Sequence, residues 1–279
     1  MSSRPEHVNP PEIFYGEDEA AKYRKSSRMI AVQAQMSQRA IELLMLPQGE
    51  PALLLDIGAG TGLSGSELTE EGHTWIGVDI SRAMLEQAVD RGVEGDLAEA
   101  DIGHGLFFRP GTFDGAISVS VLQWLCHIYK NEHVPKRRLR KFFQSLFNCL
   151  SPGARAVFQF YPETPAQIEL IVAAAMECGF SGGLVVDYPN SKKAKKYFLC
   201  LSAGVSAYKP EALGTGPRNA GEGVKYTEMK RREARTKKRR GIKGTREWID
   251  RKKTSQRNRG LEVRRDSKYT GRRRRRAFG

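Results

Sequence analysis

Three glycines alternate with small residues directly after an apolar run early in the chain. The run 53–57 contains Asp56, and Gly58, Gly60 and Gly62 follow it with a spacing of two. Glycine lacks a Cβ, so it allows turns with positive φ and lets a ligand approach the main chain closely. The pattern therefore predicts a strand, a tight turn and a helix that together bind a nucleotide-like ligand.

The charge beside this turn distinguishes between two classes of ligand. A dinucleotide fingerprint, GxGxxG, would have its third glycine at position 63, where this chain has leucine. Asp56 would repel a diphosphate, but it would attract the sulfonium and ammonium groups of S-adenosyl-L-methionine. We therefore predict S-adenosyl-L-methionine as the cofactor, with contacts from Asp56, Gly58, Gly60 and Gly62.

Two further acids stand at the ends of the next β-rich runs. Asp79 can accept hydrogen bonds from both ribose hydroxyls, a role that would also suit a nicotinamide dinucleotide. Asp101 is placed to accept a hydrogen bond from an adenine amino group, beside Ile102. Acids at three consecutive strand ends favour S-adenosylmethionine over a set of unrelated turn caps. The remaining residues that we expect in the cofactor site are Ile80 and Ser118.

The elements that must position these residues alternate between β-rich and helical patterns. The β-rich runs are 52–57, 74–79, 95–101, 113–120 and 154–161. Ser81 and Thr164 stand at the expected N-caps of two of the intervening helices. This alternation predicts an α/β fold of the Rossmann-like class I methyltransferase type, whose ligand binds at the carboxyl ends of parallel strands.

Further patterns extend this sheet and cover it. Runs 183–187 and 197–201 are separated by a polar loop and predict an antiparallel hairpin, which gives a mostly parallel sheet of seven strands. A helical pattern at 30–46 predicts a helix before the sheet. No apolar run reaches the roughly 18 residues that a membrane span needs, so we expect an intracellular protein without membrane association.

Charge is divided unevenly along the chain. The net charge is +14, yet residues 225–279 carry 24 Lys and Arg against 6 Asp and Glu, whereas residues 1–224 carry 22 against 26. A segment this basic binds polyanions, so nucleic acid is an expected partner. We predict an N-terminal helical segment at 1–50, the methyltransferase domain at 51–204, and a linker with a basic RNA-binding tail, disordered alone, at 205–279.

The segment after the fourth β-rich run restricts the methyl acceptor. It lacks the Asn/Asp-Pro-Pro-aromatic loop of many exocyclic-amine methyltransferases and the Pro-Cys dipeptide of a pyrimidine C5 methyltransferase. A ring nitrogen such as guanine N7 has a free lone pair and no proton to lose. We therefore expect no catalytic acid or base, only positioning, with Trp124 and Tyr161 either stacking a base or packing in the core.

The histidines and cysteines do not form a metal-binding pattern. His127 and His133 lack a partner at ligand spacing, so we interpret them as surface residues and expect no metal site. The cysteines lie in apolar stretches and are expected to be reduced core thiols. They are Cys126, Cys149, Cys178 and Cys200.

Several short runs along the chain carry a resemblance to one known family. Residues 55–62, with Ala59 where many relatives have cysteine, match only the general cofactor fingerprint. More specific matches cover much of the remaining chain, including the tail. They are Gly62-Leu63-Ser64-Gly65-Ser66, Arg109 to Gly115, Gln123-Trp124-Leu125-Cys126, Val186-Asp187-Tyr188-Pro189-Asn190, Arg246-Glu247-Trp248-Ile249, Lys252-Lys253 and Lys268 to Arg272. In these runs the chain closely resembles the eukaryotic family that methylates guanine N7 in small-subunit (18S) ribosomal RNA.

This resemblance implies the acceptor, the partners and the setting. It implies ribosomal RNA methylation within pre-ribosomal particles during ribosome biogenesis, in the nucleus and nucleolus with a cytoplasmic pool. It also implies a heterodimer with a small zinc-binding activator subunit at the sheet edge near 93–97. The basic clusters 230–232 and 237–240 resemble nuclear-import signals and would equally serve as RNA contacts.

Two other functions fit the same sequence. The protein could act chiefly as a pre-ribosome assembly factor whose RNA-binding role outweighs methylation, or as a small-molecule methyltransferase with an unrelated basic tail. The three acids favour real cofactor binding, and the tail disfavours a free metabolite as the acceptor.

Overall fold

A computed structural model describes most of the chain. The described residues are 4–17, 19–20, 22, 26–47, 49–191, 194–204, 210, 212–214, 246–258 and 263–266. The chain divides into two compact units, Met1–Thr215 and Gly216–Gly279.

The first unit alternates helices and strands, as the sequence patterns predict. Its elements are α1 (Pro11–Phe14), α2 (Ser27–Leu44), β1 (Leu53–Ile57), α3 (Leu63–Glu70), β2 (Thr74–Asp79), α4 (Arg82–Asp90), β3 (Asp96–Glu99), β4 (Phe113–Val119), α5 (Leu122–Leu125), α6 (Pro135–Cys149), β5 (Leu150–Phe160), α7 (Pro165–Glu177), β6 (Phe180–Asp187) and β7 (Lys196–Ala203). Short 3-10 helices lie at Pro5–His7 and Ile102–His104. Ser81 and Thr164 accept hydrogen bonds at the N-termini of α4 and α7, so both predicted caps are confirmed.

The seven strands form one sheet in the order β3-β2-β1-β4-β5-β7-β6. Neighbours from β3 to β5 are parallel, whereas β7 runs antiparallel to both β5 and β6. The predicted fold class and the predicted hairpin are therefore confirmed. β5 begins at Leu150, four residues before the predicted start, because Leu150 pairs with Phe113 ahead of a register shift around Ser151-Pro152-Gly153.

Alternating side chains of the strands build a core on each face of the sheet. Leu55, Phe142 and Phe158 belong to the core beneath α6 and α7. Leu54 and the fully buried Trp75 belong to the opposite core, beneath α2 and α3. Burial of such apolar area on both faces is the main term that stabilises a layered α/β domain.

Helix α2 packs on the sheet and does not form a separate unit. Ser26 caps its start by accepting from the Met29 N–H, and Met45 ends it in a left-handed conformation. The Arg39 guanidinium donates to both carboxylate oxygens of Asp187, at 2.9 and 3.3 Å, which connects α2 to the end of β6. The helix predicted at 30–46 is thus confirmed, and it covers one face of the sheet.

The chain remains in contact with the sheet beyond β7. The Leu213 N–H donates to Asp187 at 2.8 Å, and the Tyr188 N–H donates to the Leu213 carbonyl at 2.7 Å. The first compact unit accordingly includes residues past position 204, where the sequence predicted that the domain ends.

The second unit contains a described helix that the sequence analysis did not predict. This helix, α8, spans Arg246–Asn258. Asp266 accepts from Lys253 at 3.0 Å and from Arg257 at 2.6 Å, so the residues after the helix neutralise part of its basic face. The clusters at 230–232 and 237–240 lie outside the described residues.

The thiols of the first unit are free, in agreement with the expectation of reduced cysteines. Cys149, Cys178 and Cys200 are buried, whereas Cys126 is half-buried. Burial raises the pKa of Cys126 and of Cys200 to about 12, so these thiols are unreactive at neutral pH. Within the described part of the chain, none of the helices has the length and apolar character that a membrane crossing requires.

Candidate functional site

A pocket opens at the carboxyl ends of the parallel strands, where a sheet of this topology binds its ligand. Strand ends and their following turns form one wall, and residues from the N-terminal segment form another. The pocket brings together most of the residues that the sequence predicted for the site. These are Gly58, Gly60, Asp79, Ile80, Asp101, Ile102 and Trp124.

The glycine turn after β1 fits tightly between its neighbours. Gly58 has a φ of +74°, and a Cβ there would lie 2.1 Å from Cγ2 of Val121. Gly60 also has a positive φ, and its N–H donates to Oδ2 of Asp79 at 2.8 Å. The turn therefore presents bare main chain to the pocket, as the alternating glycines predicted.

Asp79 is held in place by main-chain donors. Its Oδ2 accepts from Gly60 and its Oδ1 accepts from the Ser81 N–H, both at 2.8 Å. Burial raises the pKa of Asp79, whereas these N–H groups favour its charged form. Each oxygen keeps further lone pairs for hydroxyl donors in the pocket.

Asp56 lies behind the glycine turn and is fully buried. Ser64 donates to its Oδ2 at 2.6 Å, while its Oδ1 accepts no hydrogen bond from any described residue. Burial, with a smaller contribution from Asp79, raises the pKa of Asp56 to about 7. Ser64 lines the pocket, whereas Asp56 lies behind the lining residues. Asp56 would therefore act on a bound cation at a distance, without direct contact.

Asp101 is bound by a residue that the sequence analysis did not identify. Arg138, on α6, donates to Oδ1 and Oδ2 of Asp101 at 2.8 and 2.9 Å, and the Gly103 N–H also donates to Oδ1. His104 Nδ1 lies 3.1 Å from Oδ2. The carboxylate therefore already has several partners, and an adenine amino group would have to share it with Arg138.

The other predicted residues lie outside the pocket lining. Gly62 begins α3 in a left-handed conformation, and a Cβ on it would clash with Val93. Ser118 is buried and donates to the Ile57 carbonyl at 2.8 Å, which links β4 to β1. The Tyr161 ring lies under the Lys196 ammonium, at 5.0 Å from its centroid.

The N-terminal segment contributes residues to the pocket that no sequence motif indicated. Pro11, Tyr15 and Gln33 line it. The Tyr15 carbonyl accepts from Ser81 Oγ at 2.7 Å, which fixes the segment to the start of α4. Trp124 is buried against this segment, with the Tyr15 ring centroid 5.6 Å away. Trp124 and the segment that packs against it together form one wall of the pocket.

A buried polar network supports the loop that follows β4. Ser120 has a φ of +65°, and its hydroxyl donates to Oε1 of Gln159 at 2.9 Å. The Gln123 side chain donates to the Ser120 carbonyl at 2.8 Å. These hydrogen bonds hold Ser120, whose backbone conformation is strained, at the edge of the pocket between the glycine turn and Trp124.

The two histidines that we expected on the surface are not surface residues. His133 is buried, and the Arg138 guanidinium lies 3.4 Å from its Nδ1. His127 is half-buried beside His7 and Glu163. The expectation was wrong because the start of α6 covers His133 and the N-terminal segment approaches His127. The second contact joins residues that are too far apart in the chain to give a signal in local sequence spacing.

The pocket fits the predicted cofactor. Asp79 offers acceptors for ribose hydroxyls, and the main chain of Gly58 and Gly60 borders the pocket directly. Oδ1 of Asp56 has no hydrogen-bond partner among the described residues, and a cationic group nearby would favour the charged form of this buried carboxyl. A diphosphate would meet these carboxylates with the wrong charge.

Comparisons with known proteins agree with this geometry. Residues 55–158 match a family described as "Methyltransferase domain", and residues 201–276 match "Methyltransferase involved in Williams-Beuren syndrome". The fold resembles a solved phosphoethanolamine N-methyltransferase 2 of Haemonchus contortus with a TM-score of 0.52, at 16% identity over 68% of this chain and 58% of that one.

Curated relatives match over nearly the whole length. A mouse protein named 18S rRNA (guanine-N(7))-methyltransferase is 52% identical and covers 99% of both chains. A Dictyostelium discoideum protein named probable 18S rRNA (guanine-N(7))-methyltransferase is 51% identical and covers 98% of both. These similarities include the pocket, the sheet and the basic C-terminal region. The chain therefore belongs to the 18S rRNA (guanine-N(7))-methyltransferase family.

Proposed function

We propose that this chain transfers the methyl group of S-adenosyl-L-methionine to N7 of a guanine in small-subunit ribosomal RNA. One observation carries the proposal: a pocket suited to this cofactor lies in a chain that is 52% identical, over 99% of its length, to an 18S rRNA (guanine-N(7))-methyltransferase. The basic segment 225–279 supplies the charge that an RNA substrate requires.

The residues of the site act by binding and positioning. When bound, S-adenosyl-L-methionine supplies an electrophilic methyl group. Asp79 would hold the ribose, the Gly58–Gly60 main chain would border the amino-acid portion, and Asp56 would compensate the positive charge behind the turn. Guanine N7 offers a lone pair and no proton, so the site needs to orient the base and exclude water but does not need a general base.

Helix α6 provides a basic surface near the pocket. Arg138 lines the pocket, and Lys136, Arg137, Arg140 and Lys141 are exposed on the same first turns of the helix. Exposed cations beside a methyl-donor site would hold the phosphates that flank a target base. This arrangement favours RNA over a small molecule as the acceptor.

Transfer of labelled methyl groups into small-subunit precursor particles tests the proposal. The wild-type chain should label the RNA, whereas Asp79→Asn should lose most of the labelling because it weakens the acceptors for the ribose. Glu86→Gln, an exposed carboxylate on α4, is the matched control and should retain full labelling. Cofactor binding without RNA labelling by the wild type would contradict the proposed acceptor.

The assembly-factor alternative makes a different prediction in cells. With Asp56→Ala, methylation should stop because the buried carboxylate behind the glycine turn is lost. If ribosome assembly continues normally in that variant, catalysis is dispensable for assembly. If assembly fails together with methylation while the variant protein remains folded and particle-bound, the enzymatic role dominates.

The resemblance to the family also supports an obligate partner and a location. β3 is one of the two edge strands of the sheet, and its outer edge pairs with no other strand among the described residues. The nearby Val89 is 67% exposed, so a small zinc-binding activator subunit would find a strand edge and apolar surface there. Methylation of RNA within pre-ribosomal particles would place the protein in the nucleus and nucleolus. Co-purification of the activator with the wild type, and its loss from Val89→Asp, would support this interface.

A further inference from the structure

Two imidazoles and a carboxylate from three distant parts of the chain meet beside the pocket. Nε2 of His7 lies 3.1 Å from Oε2 of Glu163, and Nε2 of His127 lies 4.0 Å from the same oxygen. All three ligand atoms lie within 4.8 Å of one another. The cluster joins the N-terminal segment to the loops that follow α5 and β5.

His127 contributes a buried ring nitrogen to this cluster. Its Nε2 is buried and accepts or donates no hydrogen bond among the described residues. A buried polar atom without a hydrogen-bond partner is a position where a bound ion or water is expected.

We propose that His7, His127 and Glu163 form a binding site for a divalent transition metal, with Zn²⁺ as the preferred ion. Two imidazole nitrogens and one carboxylate are a donor set of open tetrahedral zinc sites, in which water takes the fourth position.

Two of the three separations between these atoms are close to those of a filled site, and the two imidazole nitrogens lie within 4.8 Å of each other. With metal–ligand distances of about 2.0–2.2 Å, neighbouring ligands of a tetrahedron lie about 3.4 Å apart. The His7–Glu163 separation already meets this, and the His127–Glu163 separation needs to shorten by only about half an ångström. Side chains that are 40% and 38% exposed, as in His7 and Glu163, can make this adjustment by rotation.

The nearby Arg4–Glu6 pair positions the segment that carries His7. Glu6, which is buried, lies next to Arg4 with an Oε1–Nη1 distance of 2.9 Å. Arg4 also donates to the carbonyls of Tyr161 and Pro162, both at 3.2 Å. The Arg4–Glu6 pair is therefore close to neutral, and it already holds His7 near the loop that carries Glu163.

An ion at this position would clamp one wall of the pocket. The segment that carries His7 continues into Pro11 and Tyr15, which line the pocket. Its role in cofactor retention rests on the proposed function, but the metal site itself does not. The two are distinguished by measuring metal binding without cofactor.

Titration of the metal-free full-length chain with Co²⁺ tests the site. The wild type should bind one equivalent and develop the visible absorption of tetrahedral Co²⁺ without a thiolate charge-transfer band. His7→Gln, His127→Asn and Glu163→Gln should each weaken binding by about tenfold or more. Glu169→Gln, an exposed carboxylate on α7, is the matched control and should bind as the wild type does. Equal binding by all three variants and the wild type, or a thiolate band that assigns the ion to a cysteine, would overturn the proposal.

Hydrogen exchange tests the clamp separately. Zn²⁺ should slow exchange of the amides in segment 5–16 of the wild type and should leave Glu163→Gln unchanged. Because His7 and Glu163 lie at the surface, these variants should keep the fold, which an unchanged unfolding temperature would verify. Zn²⁺ binding without slower exchange would contradict the clamp.

Discussion

At the scale of single residues, burial of the Asp56 carboxyl group is unfavourable, and the proposed role beside the cofactor would explain it. The carboxyl group is fully buried, and only Ser64 donates to it among the side chains of the described residues. Burial raises the pKa of Asp56 to about 7, from an ordinary value of 3.8. A site that keeps such a group without a full set of donors is prepared for a cationic ligand.

The Asp56→Asn variant should separate stability from function. The folded chain binds the Asp56 proton more tightly than the unfolded chain, so ionisation of Asp56 lowers stability as the pH rises from about 4 to about 7. Without cofactor, Asp56→Asn should therefore raise the unfolding free energy by about 1–3 kcal/mol at about pH 8, and by less at about pH 5. Urea unfolding at the two pH values measures this.

Cofactor binding should change in the opposite direction. Asp56→Asn removes the buried charge, so its affinity for S-adenosyl-L-methionine should fall, and calorimetric titration would measure the loss. A variant that is no more stable than the wild type at either pH, yet binds cofactor normally, would show that Asp56 is neither strained nor involved.

At the scale of elements, the contact between α2 and the end of β6 closes one face of the sheet. Asp187 is 3% exposed and accepts from Arg39 and from the Leu213 N–H. One carboxylate thus connects the N-terminal helix, the strand end and the segment that follows β7. Removing it would leave the Arg39 guanidinium partly buried without its main counter-charge.

Asp187→Ala should therefore be strongly destabilising. We expect a loss of about 3–5 kcal/mol in unfolding free energy, the range for breaking a buried ion pair. Glu42→Gln is the matched control, because Glu42 is the exposed partner of the same arginine, and its effect should stay below about 1 kcal/mol. Denaturant unfolding would compare them, and similar losses in both variants would show that burial of the pair is unimportant.

The elements also show what the sequence could predict. Local spacing was sufficient for β2, for the caps of α4 and α7, and for the glycine turn, because strand alternation and capping are local properties. The Arg138–Asp101 pair, the approach of Tyr15 to Trp124, and the His7–His127–Glu163 cluster depend on long-range packing. They join residues too far apart in the chain for periodicity to indicate them.

At the scale of the whole molecule, the protein combines a nearly neutral catalytic unit with a basic segment. Residues 1–224 carry 22 basic and 26 acidic side chains, whereas residues 225–279 carry 24 and 6. Release of counterions from RNA depends on the number of phosphates that such a segment contacts. Affinity for RNA and affinity for the cofactor should therefore be separable.

Deletion of residues 225–279 should weaken RNA binding and flatten its dependence on salt. Each duplex phosphate contact that is lost should reduce the slope of log K against log salt by about 0.9. Affinity for S-adenosyl-L-methionine should remain unchanged because the pocket lies in the first unit. Filter binding over a series of salt concentrations gives the slope, and an unchanged slope would contradict the role assigned to the segment.

The most direct test of the central claim identifies the methylated atom. Small-subunit precursor particles would be incubated with the full chain, the proposed activator subunit and labelled S-adenosyl-L-methionine. The RNA would then be treated with borohydride and aniline, which cleave at N7-methylguanine. We predict a single cleavage site that coincides with the label and disappears with Asp79→Asn. Label at another atom or nucleotide, with no such cleavage, would contradict the assignment of guanine N7 as the acceptor.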